Sequence, residues 1–271
     1  MKEQLDIIKR NFLKLMCSGA LKEYDQIEPM SNFKWRRLMA TACTQDVVDI
    51  ISVGIKNNPS VPQAMQQDIV DEFVDAATNF PKRQEAEGQL YNPIFKRRLQ
   101  NIRNNEPHAE DFSEKTLQLL NLIIVGTNEV LSSGFSYHYT LPIGVFLREQ
   151  GDRVDFVKLD QWLGKLHLRH FAQFFGSVLI TTLGFEKDEV PFVQTIDKNA
   201  FDVAVKSLSQ SKATRKSNWR FHQTAAGFVE NDSKAMMQAL RNSLHFFNYA
   251  PIETVSNFIH SFIKSLSELE E

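Results

Sequence analysis

Ser113-Glu114-Lys115-Thr116-Leu117-Gln118-Leu119-Leu120-Asn121-Leu122-Ile123-Ile124-Val125-Gly126-Thr127-Asn128-Glu129-Val130 is the stretch on which the fold turns. Its inner run, residues 122–125, would pass for a buried strand if taken alone. The flanks decide for helix. Leu117, Leu120, Ile124 and Val130 recur near the helical period, Ser113 stands as an N-cap, and Glu114 sets an acid in the first turn. The same period extends in both directions. Leu5, Ile8, Phe12, Leu15 and Met16 form one face; Trp35, Leu38, Met39, Ala42 and Cys43 form another that runs on to Val47, Ile50 and Ile51. Asn57-Asn58-Pro59 ends that run. Ile69, Val70, Phe73 and Ala77 mark a further helix closed by Pro81, and residues 156–185 read as helix, turn, helix. Ala235, Met236, Ala239, Leu240 and Leu244 mark another, and Val255, Phe258, Ile259, Phe262 and Leu266 the last. Period-two alternation is almost absent, so the pattern predicts an all-α fold of about ten helices, in one compact or two-lobed helical domain.

Polar punctuation sets the expected organisation. Residues 81–112 carry Pro81, Pro93 and Pro107 among charged side chains, and residues 206–234 are polar and weakly periodic. This predicts an N-terminal helical block over 1–80, a polar connector over 81–112 and a C-terminal block over 113–271 packed on the first. The 271 residues are 42% hydrophobic and 24% charged, which excludes disordered and collagen-like classes. Thirty-one basic against 33 acidic residues leave a net charge of −2, against a nucleic-acid coat or a membrane-surface binder. Glycine is scarce at 11, and 21 Phe stand against 3 Trp and 5 Tyr. Low glycine and many long apolar side chains agree with the helical reading.

Cys17 and Cys43 belong to no C-x-x-C pair and no zinc pattern, so they read as buried thiols in a reducing, cytoplasmic setting. The first six residues include early acids and lack an apolar core, which predicts no cleavable leader. No apolar run approaches the roughly 20 residues of a membrane span.

Several constellations bear on chemistry. His167 and His170 lie one helical turn apart, yet no acid follows until Glu186, so they read as surface histidines with no metal assigned. Gly176-Ser177, followed by Glu186 and Asp188, superficially matches a polymerase-β-type phosphate and magnesium site. The match fails on the first carboxylate, which should be Asp, on Lys187 at an apolar position, and on the helical look of residues 171–179. There is no G-x-S-x-G elbow, Walker A loop or G-x-G-x-x-G fingerprint, so no catalytic residue and no cofactor are assigned. One charge feature stands out. Between Asp202 and Glu230 there is no acid, while Lys206, Lys212, Arg215, Lys216 and Arg220 interleave with Trp219, Phe221 and His222. A basic, aromatic loop of this kind can grip phosphates and stack on bases, or lay Trp219 and Phe221 on a core. Lys96-Arg97-Arg98 with Arg103 forms a second basic cluster.

Three ordered stretches then resemble a known family. The first is Trp35-Arg36-Arg37-Leu38-Met39-Ala40-Thr41-Ala42-Cys43-Thr44-Gln45-Asp46-Val47, ending at Gly54-Ile55. The second runs from Gly134 to Phe192 and includes Phe146-Leu147-Arg148-Glu149-Gln150-Gly151-Asp152, Val154-Asp155-Phe156, Trp162-Leu163, Phe171-Ala172 and Leu183-Gly184-Phe185. The third is Leu240-Arg241-Asn242-Ser243-Leu244 with Tyr249-Ala250-Pro251-Ile252-Glu253. In this order they resemble the helical parts of a bacterial nucleotidyltransferase family common in gut Bacteroidetes, over residues 5–80 and 113–265. In that family the helices flank a small catalytic α/β domain. Here the corresponding gap is the short polar stretch 81–112, too short for a nucleotidyltransferase sheet and without Gly-Ser or paired aspartates. After Gly134 the family usually has Arg-Gln and an Asp; this chain has His138-Tyr139 and then Pro142, and no glycine-rich sequence near Trp219.

Such departures, with packing residues retained, are the pattern of lost catalysis and a kept fold. The expectation is a non-catalytic helical relic that binds a protein partner or small ligand. The alternatives are a nucleotidyltransferase with a degenerate active site, and a nucleotide or nucleic-acid binder using the basic 206–222 loop. Any pocket is expected where the lost domain sat, walled by Tyr137, His138, Tyr139 and Arg148 and by the loop carrying Lys216, Trp219 and Arg220. Apolar surface bared by the loss needs a cover, for which a homodimer is one solution.

Overall fold

Helical spacing in the sequence becomes helix in the chain. The computed structural model describes residues 5–59, 61, 65–79, 87–111, 113–209, 221–223, 229–231, 240–241 and 244–267. Among them run α1 (Ile7–Leu21), α2 (Asn32–Thr44), α3 (Val48–Lys56), α4 (Gln67–Thr78), α5 (Pro93–Asn105), α6 (Glu114–Ser133), α7 (Tyr137–Gln150), α8 (Phe156–Lys165), α9 (Arg169–Leu183), α10 (Ala200–Ser207) and α11 (Pro251–Ser267). A short antiparallel ladder, β1 (Phe221–Gln223) with β2 (Val229–Asn231), pairs Phe221 with Asn231. The fold is all-α around it. The helix expected over 235–244 falls mostly outside the described residues.

The deciding stretch is α6, a single helix. The Ser113 hydroxyl accepts from the Thr116 N–H, and the Gly134 N–H closes the other end on the Val130 carbonyl. Leu119, Leu120, Ile123, Ile124, Val130 and Leu131 are buried along one broad face. Two local features differ from the periodicity. The run from Trp35 to Ile51 is not one helix: it breaks between α2 and α3, where Asp46 takes a left-handed conformation at φ 53°. In addition, α5 lies inside the polar stretch 81–112. Asn92 caps it by accepting from Ile94 and Phe95, Pro93 suits its first position, and Phe95, Leu99 and Ile102 bury one narrow stripe.

The chain forms two compact units from interleaved stretches. One comprises Met1–Glu85, Ser136–Glu149 and Phe175–Lys212; the other comprises Ala86–Phe135, Gln150–Phe174 and Ala213–Glu271. In the first unit Phe12, Leu15 and Met16 of α1, Trp35 and Leu38 of α2, Ile51 of α3, and Ile69 and Phe73 of α4 are all buried. Helices α1 and α3 approach at Gly19 and Gly54, and neither position has room for a Cβ. Arg10 reaches across to Glu28 through two charge-assisted hydrogen bonds of 2.8 and 2.7 Å, which hold the Glu28 carboxyl down at about 2. In the second unit, Phe171 and Phe174 pack against Phe246 and Tyr249 with ring centroids 5.3–6.1 Å apart. Lys158 bridges the nearly buried Glu106 at 2.8 Å and Asp111 at 3.0 Å, fastening the turn that leads into α6.

Candidate functional site

Four of the residues expected to wall a pocket sit on α7 in the first unit. Tyr137 is fully buried, with the Phe12 ring 6.2 Å away. Burial drives its phenol well above the ordinary tyrosine range, only partly offset by a hydrogen bond with Thr182. His138 turns its Nδ1 to the Asp46 carbonyl at 2.7 Å, and Tyr139 stands edge-on to the His138 ring at 4.6 Å. The His138 contact belongs to the corner between α2 and α3. Gln45, which is buried, donates through its Nε2 to the Ser207 carbonyl at 2.9 Å and accepts from the Tyr137 N–H at 3.2 Å. Its own carbonyl accepts from the Ser136 hydroxyl at 3.0 Å. One amide side chain thus ties together the three stretches of the unit. Gln45 carries no periodic signal, and nothing in the local sequence marks its role.

Arg148 is also paired. Its guanidinium donates to Glu189 at 3.1 Å and to Glu23, and it lies over the Phe185 ring 4.2 Å from the centroid. Burial works against its charge, and the two carboxylates outweigh it, so the guanidinium is held more firmly protonated than usual. Replacing Arg148 by Ala is expected to cost about 1 kcal/mol of stability with helical circular dichroism retained. A loss several times larger in a urea melt would mean that Arg148 holds more than these groups. Lys216, Trp219 and Arg220 lie outside the described residues.

Gly176 and Ser177 are buried within α9 and form no loop ahead of a strand. The space that a Gly176 side chain would need is filled by Val190 and Val193, and the Ser177 hydroxyl accepts from the Asp197 N–H at 2.9 Å. The glycine is there for packing and the serine holds a loop. Glu186 and Asp188 are exposed on the turn that follows. Among the described residues no group of three or more His, Cys, Asp or Glu side chains is placed to hold a metal ion.

The distinctive surface lies on α11 in the second unit, where the usual polarity of a helix is reversed. Its protein-facing side is polar: Glu253, Thr254 and Asn257 are 1%, 2% and 5% exposed. The Glu253 carboxylate accepts from the Tyr91 N–H at 2.5 Å and the Asn92 N–H at 3.2 Å, and Tyr91 stacks on His260 at 4.3 Å. Its open side is apolar: Ile252, Val255, Ile259, Phe262 and Ile263 are 36–58% exposed. Sequence periodicity finds this helix but not its orientation, because an apolar stripe is assumed to face the core. A signal was nevertheless present. The opposite face carries Thr254, Asn257 and Ser261 with Glu253, whereas a solvated face carries many charges.

Comparison with family models, curated proteins and solved structures finds no match.

Proposed function

We propose that the chain is a non-catalytic helical interaction module, a relic of the nucleotidyltransferase-like family it resembles, and that it works by docking a protein partner on the apolar face of α11. The observation that carries this reading is the reversed polarity of that helix. Contiguous exposed apolar surface is costly in water and marks interaction sites. Here the polar side of α11 is committed to the fold through Glu253, so the helix cannot turn its stripe inward without stranding the Tyr91 and Asn92 N–H groups. A lipid surface suits the helix less well. Interfacial helices carry a basic polar face, and α11 has one base, Lys264. Among the described residues no helix is long and apolar enough to cross a membrane. Inside α9, Gly176 and Ser177 are taken up by packing and by the Asp197 N–H, which favours this reading over a transferase built on that pair. The acid-free basic stretch from Val203 to Val229 keeps nucleic-acid binding as the second reading.

A photo-crosslinking amino acid placed at position 259 is expected to yield a covalent protein adduct in cells, whereas the same probe at the exposed Lys96 position yields none. No adduct from 259 would sink the reading.

A further inference from the structure

The occupant of this face can be named more closely. Resting on the interaction-module reading, we infer that the α11 stripe pairs with the same stripe of a second copy of this chain, as an isologous two-fold helix pair. Three observations support the pairing. Ile252, Val255, Ile259 and Phe262 are spaced three, four and three residues apart, which is the seam along which two helices interlock. The stripe is also uncharged. Among the described side chains of α11 the one acid is Glu253, and it is turned inward and buried. Two copies therefore meet without like-charge repulsion, and nothing on the face calls for an acidic or basic target. Finally, the area reaches the lower bound of a specific interface. At 36–58% exposure, and roughly 200 Å² for a large apolar residue in the open, the five side chains present on the order of 500 Å² per copy. With both stripes covered completely, a pair buries about 1,000 Å², which is that lower bound. A two-fold arrangement uses each copy's stripe once and closes, leaving no open apolar edge to propagate a filament.

The test is the solution mass of the full chain by light scattering at tens of micromolar, for the native sequence and for Ile259→Asp and Ile263→Asp. The native chain is expected at twice its monomer mass. Each Asp variant should shift to the monomer, weakening association at least tenfold, while helical circular dichroism is retained because both positions are solvent-facing. Conservative Ile259→Leu should remain dimeric. A native chain that stays monomeric overturns the pairing, as does a dimer that survives both Asp variants. The two readings fail separately. A monomer that still gives a 259-position adduct to a different protein removes self-pairing and leaves the interaction module standing. A monomer with no adduct removes both.

Discussion

Gly54→Ala is expected to unfold the unit built on α1 and α3, with a stability loss of about 3 kcal/mol or more. The reason is the close approach of two backbones. A Cβ on Gly54 would overlap the Leu15 carbonyl oxygen and crowd the Leu15 carbonyl carbon and Cα. Reciprocally, a Cβ on Gly19 would overlap the Ile50 carbonyl oxygen. Both carbonyls belong to helical ladders and cannot swing aside as a side chain can, so α1 and α3 would have to separate. Separation opens the packing around Phe12, Leu15, Met16 and Ile51, all fully buried. It also strains the hydrogen bonds that Asn57 and Asn58 donate to Ser18, at 2.9 Å to its carbonyl and 3.0 Å to its hydroxyl. Gly151→Ala supplies the control, since nothing lies within 4 Å of a Cβ there. That variant is expected within about 0.5 kcal/mol of the native chain. Urea melts of the two side by side make the comparison. Equal midpoints would show that the α1–α3 approach is looser than described.

The helices that declared themselves in the sequence are those whose stability is local and whose apolar face is broad. Helix α6 has a cap, an acidic first turn and a wide buried face within twenty residues, so one window of sequence holds the whole argument. Helix α5 has three buried apolar residues in thirteen, Phe95, Leu99 and Ile102, submerged in Lys and Arg. Its signal was the Asn92-Pro93 start, not its composition. The corner at Gln45–Asp46 depends on partners some 90 to 160 residues away in the chain, which no local pattern encodes. The same holds for Tyr137. An aromatic residue kept for a core and one kept for a ligand look identical in sequence, and only its burial against Phe12 separates them. The interleaving of three stretches in each unit is likewise invisible to linear punctuation, because proline and polar runs mark where helices stop, not which helices pack together.

The reversed polarity of α11 leads to the second large effect. Glu253→Ala is expected to cost about 3 kcal/mol, because it leaves the Tyr91 and Asn92 N–H groups without their acceptor at a site where Glu253 is 1% exposed. The pH dependence separates the carboxylate's charge from its hydrogen bonds. Burial raises the Glu253 pKa above its ordinary value of 4.5, and the two backbone donors pull it only partly back. In the unfolded chain the group ionises near 4.5, and in the native chain it ionises later. Its contribution to stability is therefore fully present below 4.5 and declines as pH rises through the native value. Glu253→Gln does not titrate and keeps one carbonyl oxygen as an acceptor, so its stability should lack this decline. The variant should lie furthest below the native chain at acid pH and draw closer as pH rises toward neutrality. Parallel pH–stability curves for the two proteins would mean that the native carboxyl is not raised. An Ala variant as stable as the native chain would mean that the loop at Tyr91 and Asn92 does not depend on Glu253. These hydrogen bonds also commit the polar side of α11 to the fold. Glu253→Ala should therefore weaken association of the chain along with the monomer's own stability, whereas Ile259→Asp should weaken association and leave the monomer's fold in place.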